Sequence, residues 1–319
     1  TLPIVTVNLW YKVGSAFESP GKTGLTHLFE HMMFQGSKNV AKEKHFKYIQ
    51  EAGGTLNAST SFDRTNYFET VPSNYLEMVL WLESDRMGHF LPALTQEKLD
   101  NQREVVMNER RQRYENQPYG LAVEKLFSNL YSENHPYHSP TIGWMKDIEN
   151  FTLEDVTEFF KTYYSPNNAS LVIGGDFEYD TAKALVEKYF GEFNSKKNKT
   201  NDRSTVENLD EVKKIQFQDN VQLPRIYLAW HSDKLFGEDD SKLDILSDVL
   251  SVSKNSRPYK TLVFEKQIAQ EIFGFQFSAN YNGPFLIVAT ARPNVSLETL
   301  RHEIFNEIEK LLESGVREE

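Results

Sequence analysis

The sequence predicts an α+β fold in which a mostly antiparallel sheet, with helices packed on one side, occurs twice. Three observations predict it. Short segments of alternating apolar residues are typical of strands, and longer segments with apolar residues at helical spacing separate them. The order strand, helix, helix, strand, strand, helix also begins twice, near Ile4 and again near Arg225. We interpret this repeat as an internal duplication.

Turn and cap signals bound the elements of the first copy. Gly53-Gly54 ends a helix, Thr95 caps the start of a long one, and Pro118 ends it. The predicted strands are residues 4–12, 54–60, 64–71 and 169–174. The predicted helices are residues 21–36, 42–52, 73–87, 95–117, 119–130, 153–164 and 180–190.

The second copy is predicted to contain strands 225–231, 271–279 and 284–292 and helices 240–251, 258–266 and 297–314. Residues 194–212 are polar and are interpreted as a linker. We therefore predict one domain at 1–193 and a homologous one at 213–319. Because Glu319 corresponds roughly to Lys98, the second domain is expected to be incomplete.

Composition excludes several classes of function. The net charge of −11 argues against nucleic acid as the main partner, because no surplus of Lys and Arg is available for phosphates. The absence of Cys excludes disulfides, thiolate metal sites and thiol nucleophiles. No apolar run approaches the ~20 residues that span a membrane. We expect a globular protein without a membrane span.

One segment indicates chemistry: His27-Leu28-Phe29-Glu30-His31. On a helix, positions i, i+3 and i+4 share a face, so the three polar side chains can converge. Two neutral imidazoles are good zinc ligands, and a neighbouring carboxylate can take a proton from water. The order H-x-x-E-H is the inverted form of the commoner zinc-protease motif.

A third zinc ligand is expected on the helix at 95–117, which offers Glu104 and Glu109. These two residues are about 140° apart around the helix, so both cannot point at one ion. Spacing alone does not choose between them. It also allows a solvated helix face with Glu–Arg pairs. No carboxylate has the spacing to make a second site with His135 and His138.

The chain resembles the M16 family of metallopeptidases, the group of pitrilysin, insulysin and the mitochondrial processing peptidase. The resemblance is carried by five matching segments. They are Gly24–Gly36, Asn57–Thr60 with Asp63–Thr65, Glu104–Glu109, His135–Tyr137 and Tyr164–Asn168. Within the family, the chain most resembles the shorter bacterial members that work as two-subunit enzymes.

The resemblance implies that Glu109 is the third ligand, because it ends the run Val105-Val106-Met107-Asn108-Glu109, 78 residues after His31. One Zn²⁺ would then be held by His27, His31 and Glu109, with Glu30 as the general base. Gln102, where the family often has an acidic residue, and Glu104 are expected to support the ligands. Asn57, Ala58 and Ser59 would form the edge strand that pairs with a peptide substrate.

One departure from the sequence pattern of the family implies a partner subunit. Val263 and Gln270 occupy places where other family members carry an Arg and a Tyr that grip the substrate. We therefore expect a zinc-bearing endopeptidase subunit for unfolded peptides, completed as a heterodimer by a zinc-less homologous subunit that carries Arg and Tyr. By analogy its location is the bacterial periplasm or outside the cell, with the cytoplasm still open. The alternatives are a non-catalytic structural or peptide-binding subunit, and a hydrolase of phosphate esters.

Overall fold

The computed structural model describes residues 2–194, 209–252 and 254–316. The strands are β1 (Ile4–Tyr11), β2 (Thr55–Thr60), β3 (Thr65–Pro72), β4 (Ala169–Gly175), β5 (Arg225–Ser232), β6 (Ala269–Gln276) and β7 (Gly283–Ala291). The helices are α1 (Leu25–Met32), α2 (Lys44–Glu51), α3 (Leu76–His89), α4 (Gln96–Arg110), α5 (Ala122–Leu130), α6 (Met145–Glu149), α7 (Leu153–Tyr163), α8 (Tyr179–Phe190), α9 (Asp240–Ser247), α10 (Arg257–Tyr259) and α11 (Leu297–Ser314). The predicted α+β class is confirmed.

The chain divides into two compact units, Thr1–Arg113 with Ser139–Arg203, and Tyr114–His138 with Ser204–Glu319. The second unit therefore includes α5, although the predicted boundaries assign residues 114–138 to the first domain. Tyr119 explains the grouping, because its N–H donates to Asp219 Oδ2 at 2.8 Å and its hydroxyl donates to the Leu223 carbonyl at 2.7 Å. Most of the predicted linker, residues 195–208, lies outside the described residues.

The first unit is built on an antiparallel sheet of order β2-β3-β1-β4. Alternation along β1 buries Val5, Val7, Leu9 and Tyr11 on one face. Val5 and Val7 share a core with residues of α2, α3 and α8, so these helices cover that face. Within this sheet β2 pairs only with β3, which makes it an edge strand.

The second unit contains an antiparallel sheet of order β5-β7-β6. If β5, β6 and β7 are matched to β1, β2 and β3, the two sheets have the same order over these strands. Ile272 and Ile287 of this sheet pack with Leu300 and Ile304 of α11 in one core. This is the arrangement that an internal duplication predicts.

Three predicted helices change geometry before they end. The α-helical part of the long polar helix ends at Arg110, and a π-helical turn continues it over Arg111–Glu115. Similar turns follow α9, at Asp248–Val252, and α10, at Lys260–Glu265. Of the described helices, none combines the length and apolar character needed to cross a membrane.

Candidate metal centre

The helix α1 carries the two histidines and the glutamate of the motif on one side. Its opposite side is anchored by Leu28, Phe29 and Met32, which are fully buried. Because of the helical period, His27, Glu30 and His31 remain half-buried on the other side. The burial of the apolar residues therefore fixes the direction in which the polar side chains point.

The fourth residue, Glu109, lies in the last turn of α4 and meets both histidines. Glu109 Oε2 is 3.3 Å from His31 Nε2 and 3.9 Å from His27 Nε2. The centroids of the two imidazole rings are 4.8 Å apart. The second carboxylate oxygen, Oε1, pairs with Arg113 Nη1 at 2.8 Å. Oε2 is thereby left to face the histidines.

The donor atoms of His27, His31 and Glu109 lie within 4.8 Å of one another, which is near the spacing of zinc ligands. Tetrahedral ligands at 2.0–2.1 Å from zinc lie roughly 3.3–3.4 Å from one another. The distance of 3.3 Å from Glu109 Oε2 to His31 Nε2 matches this value, and the distance of 3.9 Å to His27 Nε2 exceeds it. The set of two imidazoles and one carboxylate is also typical of catalytic zinc. Among the described residues, His27 Nδ1 has no hydrogen-bond partner. No side chain therefore fixes the tautomer of this imidazole.

The charge states of these groups suit a cation. Burial and the neighbouring His31 together lower the pKa of His27 to about 4, although Glu109 opposes them. His27 is therefore neutral near pH 7, the form that binds a metal ion. The hydrogen bond with His31 lowers the pKa of Glu109, so this carboxylate is ionised. At least two of the three groups are thus ready to bind without losing a proton.

Glu30 has different surroundings from the three converging side chains. Its Oε2 accepts a short hydrogen bond from Thr60 Oγ1, at the end of β2. Burial raises the pKa of Glu30, although the Thr60 hydroxyl and His31 oppose the rise. A raised pKa brings a carboxylate closer to neutral pH, where it can both accept and return a proton.

A second group of side chains in the first unit could also hold a metal ion, but an arginine lies against it. His45 Nε2 is 3.3 Å from Glu69 Oε1, and Glu83 lies close to both in a fully buried cluster. Arg86 contacts Glu83 directly and lies 3.6 Å from Glu69 Oε1. Its guanidinium is already the cation beside Glu69 and Glu83, so we interpret this cluster as structural.

The three residues of the predicted substrate strand lie on the edge strand β2. Asn57 is exposed, and its side-chain oxygen accepts a hydrogen bond from the Ala58 N–H at 2.9 Å. An N–H that binds a side chain is not engaged by β3, so the Ala58 N–H points to the free edge. Ser59 Oγ donates to Asn66 Oδ1 at 2.7 Å.

In the part of the chain that the structure describes, the two predicted supporting residues have no hydrogen bond or ion pair with His27, His31 or Glu109. Gln102 is buried, and its amide donates to Asn101 Oδ1 at 2.9 Å. Glu104 is exposed and lies outside the cluster of His27, His31 and Glu109. Within the described residues, His135 and His138 belong to no group that could hold a metal ion.

Two contacts were missed by sequence reasoning, those of Thr60 with Glu30 and of Arg113 with Glu109. Arg113 follows Glu109 by four residues, and this spacing is a recognisable signal for a helical ion pair. Thr60 had no such signal, because its contact with Glu30 depends on how β2 packs near α1.

Comparisons with known proteins agree with this geometry. Residues 1–143 match the profile of the insulinase family, peptidase family M16, and residues 150–319 match that of the peptidase M16 inactive domain. The chain is 34% identical over 314 residues to the zinc protease PqqE of Helicobacter pylori, a match that covers 97% of this chain and 69% of the relative. It is 24% identical to YmxG of Bacillus subtilis, described as an uncharacterized zinc protease, over 99% of this chain and 75% of the relative.

Solved structures give the same result. A protease from Helicobacter pylori superimposes with a TM-score of 0.88 at 32% identity, covering 99% of this chain and 76% of the other. Pitrilysin shares the fold with a TM-score of 0.74 at 19% identity, covering 99% of this chain and 35% of pitrilysin. The HxxEH segment falls within the residues that match the insulinase profile, not those that match the inactive domain. The chain belongs to peptidase family M16.

Proposed function

We propose that this chain is the zinc-bearing subunit of an endopeptidase that hydrolyses unfolded peptides. The observation that carries the proposal is the convergence of His27 Nε2, His31 Nε2 and Glu109 Oε2, with Glu30 on the same helix as the histidines. Relatives named as zinc proteases support the same chemistry. The phosphate-ester alternative is less well supported, because such sites favour two metal ions held by several carboxylates.

In this proposal His27, His31 and Glu109 hold one zinc ion. Zinc supplies Lewis acidity in such a site, where it acidifies water and polarises a carbonyl group. Glu30 accepts the proton of the attacking water and then returns it to the leaving amine. The Thr60 hydroxyl orients Glu30 for this transfer, because it holds one carboxylate oxygen and leaves the other available.

The substrate is proposed to add to the free edge of β2 as an extra strand. Edge strands offer unpaired N–H and C=O groups, and peptides bind them through main-chain hydrogen bonds. Asn57, Ala58 and Ser59 are the residues of this edge, and Thr60 connects it to Glu30. Recognition through the main chain requires an extended peptide, which favours unfolded substrates over folded ones.

A partner subunit is part of the proposal. Val263 is buried, with a relative exposure of 6%, and belongs to the core of the second unit, so this position serves packing. Gln270 is exposed on β6, but an amide cannot provide a phenol or a positive charge. We propose that a zinc-less homologous subunit carries the Arg and the Tyr. The periplasm or the exterior of the cell stays a prediction.

The rival function is a non-catalytic subunit of the same fold. It is favoured by one observation, the match of residues 150–319 to the inactive domain. That match covers the second half of the chain, whereas the four residues of the proposed site, His27, Glu30, His31 and Glu109, lie in the first. Metal binding separates the two functions, because a structural or peptide-binding subunit needs none.

Zinc content after reconstitution with zinc and removal of the excess tests the proposal. We expect about one zinc per chain by elemental analysis. Glu109→Gln should lose the zinc, whereas Glu104→Gln, the other candidate on the same helix, should keep it. A folded wild-type chain without zinc would contradict the proposal and favour the non-catalytic subunit.

A further inference from the structure

The helix that carries the motif begins without a cap from its own first residues. The N-cap position is Gly24, which has no side chain and a left-handed φ of 88°. A Cβ atom at this position would lie 2.4 Å from the Ile142 carbonyl oxygen, so no other residue fits. The first turn of α1 also contains no acidic side chain. Its free N–H groups therefore need a partner from elsewhere.

That partner is Glu18, a residue that has no role in the proposed chemistry. Glu18 Oε2 accepts from the Gly24 N–H at 2.8 Å, and Glu18 Oε1 accepts from the Thr26 N–H at 2.7 Å. Each carboxylate oxygen thus binds a different N–H at the start of α1. Glu18 is 8% exposed, which shields both hydrogen bonds from water. We propose that Glu18 is a positioning residue that fixes the motif helix for metal binding.

The position of these bonds explains why they matter for the site. Thr26 directly precedes His27, so a shift of the Thr26 N–H moves the first ligand. Two hydrogen bonds to one rigid carboxylate restrain the rotation of the helix about its axis and its position along that axis. The helix is only 8 residues long, too short to be stable by itself. A carboxylate at this end also interacts favourably with the helix dipole.

A separate anchor holds the loop in front of the helix. The Thr23 N–H and hydroxyl donate to Asp147 Oδ2 at 3.1 and 2.6 Å, and the Trp144 N–H donates to Thr23 Oγ1 at 2.9 Å. These bonds place the chain before Gly24 but do not bind an N–H of the helix itself. Of these two anchors, Glu18 is therefore the one that acts on α1 itself, and it adds to the orientation that the buried apolar side chains give the helix.

The test uses Glu18→Gln in the full chain. Because its readout is the affinity for zinc, it rests on the proposed function. An amide group can accept only one of the two hydrogen bonds, because its NH₂ would face an N–H. The matched control is Thr152→Ala, which removes an N-cap from α7 in the same unit, a helix that carries no motif residue. Both variants should lose similar stability. Only a positioning role predicts a selective loss at the metal site.

We expect Glu18→Gln to weaken zinc binding about tenfold or more in a chelator competition, and Thr152→Ala to leave it unchanged. Equal affinity for zinc in wild type and Glu18→Gln would overturn the inference. If Glu18→Gln does not fold, Glu18→Asp replaces it, because the shorter side chain cannot reach both N–H groups. The same loss of affinity is expected for Glu18→Asp.

A second measurement does not depend on zinc. Hydrogen exchange of the metal-free chain should be faster in α1 of Glu18→Gln than in wild type, with α7 unchanged. Unchanged exchange in α1 would overturn the inference even if the chain binds zinc. A wild-type chain that binds no zinc, together with faster exchange in α1 of the variant, would contradict the proposed function while the positioning of the helix by Glu18 stands.

Discussion

Glu30 lies one residue before His31, yet its side chain has a different partner. The histidine nitrogens approach Glu109 Oε2, whereas the Glu30 carboxylate binds the Thr60 hydroxyl. The helical period explains this division, because consecutive residues on a helix point about 100° apart. This separation is what the proposed function requires, with Glu30 as the base and the two histidines as ligands.

At the scale of single residues, the first prediction concerns Glu30→Gln. The variant should keep one zinc per chain, because Glu30 is not among the ligands, but lose peptide hydrolysis by about 10²- to 10⁴-fold. Cleavage of a fluorogenic peptide, measured beside zinc content, checks both parts. Thr60→Val, which removes only the hydroxyl, should cause a smaller loss. Appreciable hydrolysis by Glu30→Gln would disprove the role of Glu30 as general base.

The third ligand shows what residue spacing cannot decide. Glu104 and Glu109 are equivalent candidates by spacing, and only the resemblance to a family selects Glu109. In the structure, Glu109 is the one that lies beside the histidines, because α4 buries Leu99 and Val106 and leaves Glu104 in solvent. Helical period gives the relative directions of side chains, but the direction of the whole helix depends on contacts that are distant in the sequence.

Arg113 gives a second prediction. Its pair with Glu109 Oε1 leaves Oε2 for the histidines, so Arg113→Ala should weaken zinc binding. Arg113 is 73% exposed, so we expect only a twofold to fivefold effect. Arg111→Ala is the matched control, because Arg111 is in the same turn but donates to Asn108. A chelator competition measures both, and equal effects of the two variants would show that Arg113 does not orient the ligand.

At the scale of elements, every predicted strand and helix has a counterpart, and most differences are at the ends. The helix predicted at 95–117 is the clearest case, because its α-helical part ends at Arg110 and a π-helical turn follows. A polar run of good helix formers does not distinguish α from π geometry, since both satisfy the backbone locally. The π-helical turn begins at Arg111, two residues after Glu109, and such turns are frequent at functional sites.

The edge strand β2 gives the prediction that belongs to this scale. Ala58→Pro removes an N–H that points to the free edge, a place where proline is tolerated in a sheet. Loss of one hydrogen bond to the substrate should raise the Kd for an extended peptide about threefold to tenfold. Binding to the inactive Glu30→Gln chain, followed by fluorescence anisotropy, isolates this effect from turnover. Ala58→Val keeps the N–H and serves as the control.

Unchanged peptide affinity in Ala58→Pro would show that the substrate does not pair with this part of β2. An equal loss in Ala58→Val would instead indicate that the side chain, not the main chain, is recognised.

At the scale of the whole molecule, the duplication could be predicted but the unit boundaries could not. The repeated order of elements is visible in the sequence, and the sheets share their strand order. Residues 114–138 follow the first unit directly, so nothing in their composition assigns them to the second. The contacts of Tyr119 with Asp219 and Leu223 join residues about 100 positions apart. Such long-range contacts have no local signature.

The buried charges of the first unit also had no signature in the sequence, and they make its stability depend on pH. Burial raises the pKa of Glu83 from 4.5 to about 8, although Arg86 opposes the rise. His45 has the opposite behaviour, because burial lowers its pKa from 6.5 to about 3. Below about pH 6.5 the unfolded chain protonates this imidazole while the folded chain keeps it neutral. His45 therefore lowers the free energy of unfolding only in that pH range.

Between pH 6.5 and 8 the carboxyl of Glu83 determines the sign of the pH dependence. The unfolded chain has already released this proton, since its pKa is near 4.5, whereas the folded chain keeps it. Folding therefore takes up protons in this window, and the free energy of unfolding falls as the pH rises. Glu83 contributes up to about 2 kcal/mol of this fall. Urea unfolding of the metal-free chain at pH 6.5 and pH 8.5 measures it.

The variant Glu83→Gln cannot release a proton, so its unfolding free energy should fall less between the two pH values than that of wild type. The control is Glu77→Gln, because Glu77 lies on the same helix and its hydrogen bonds with Lys188 and Tyr189 lower its pKa. Glu77 is ionised in both states throughout the window, so its replacement should leave the slope unchanged. A wild-type chain that is equally stable at both pH values would mean that Arg86 keeps Glu83 ionised in the folded protein. The buried cluster would then be an ordinary ion pair, and the dependence on pH would have to be sought elsewhere.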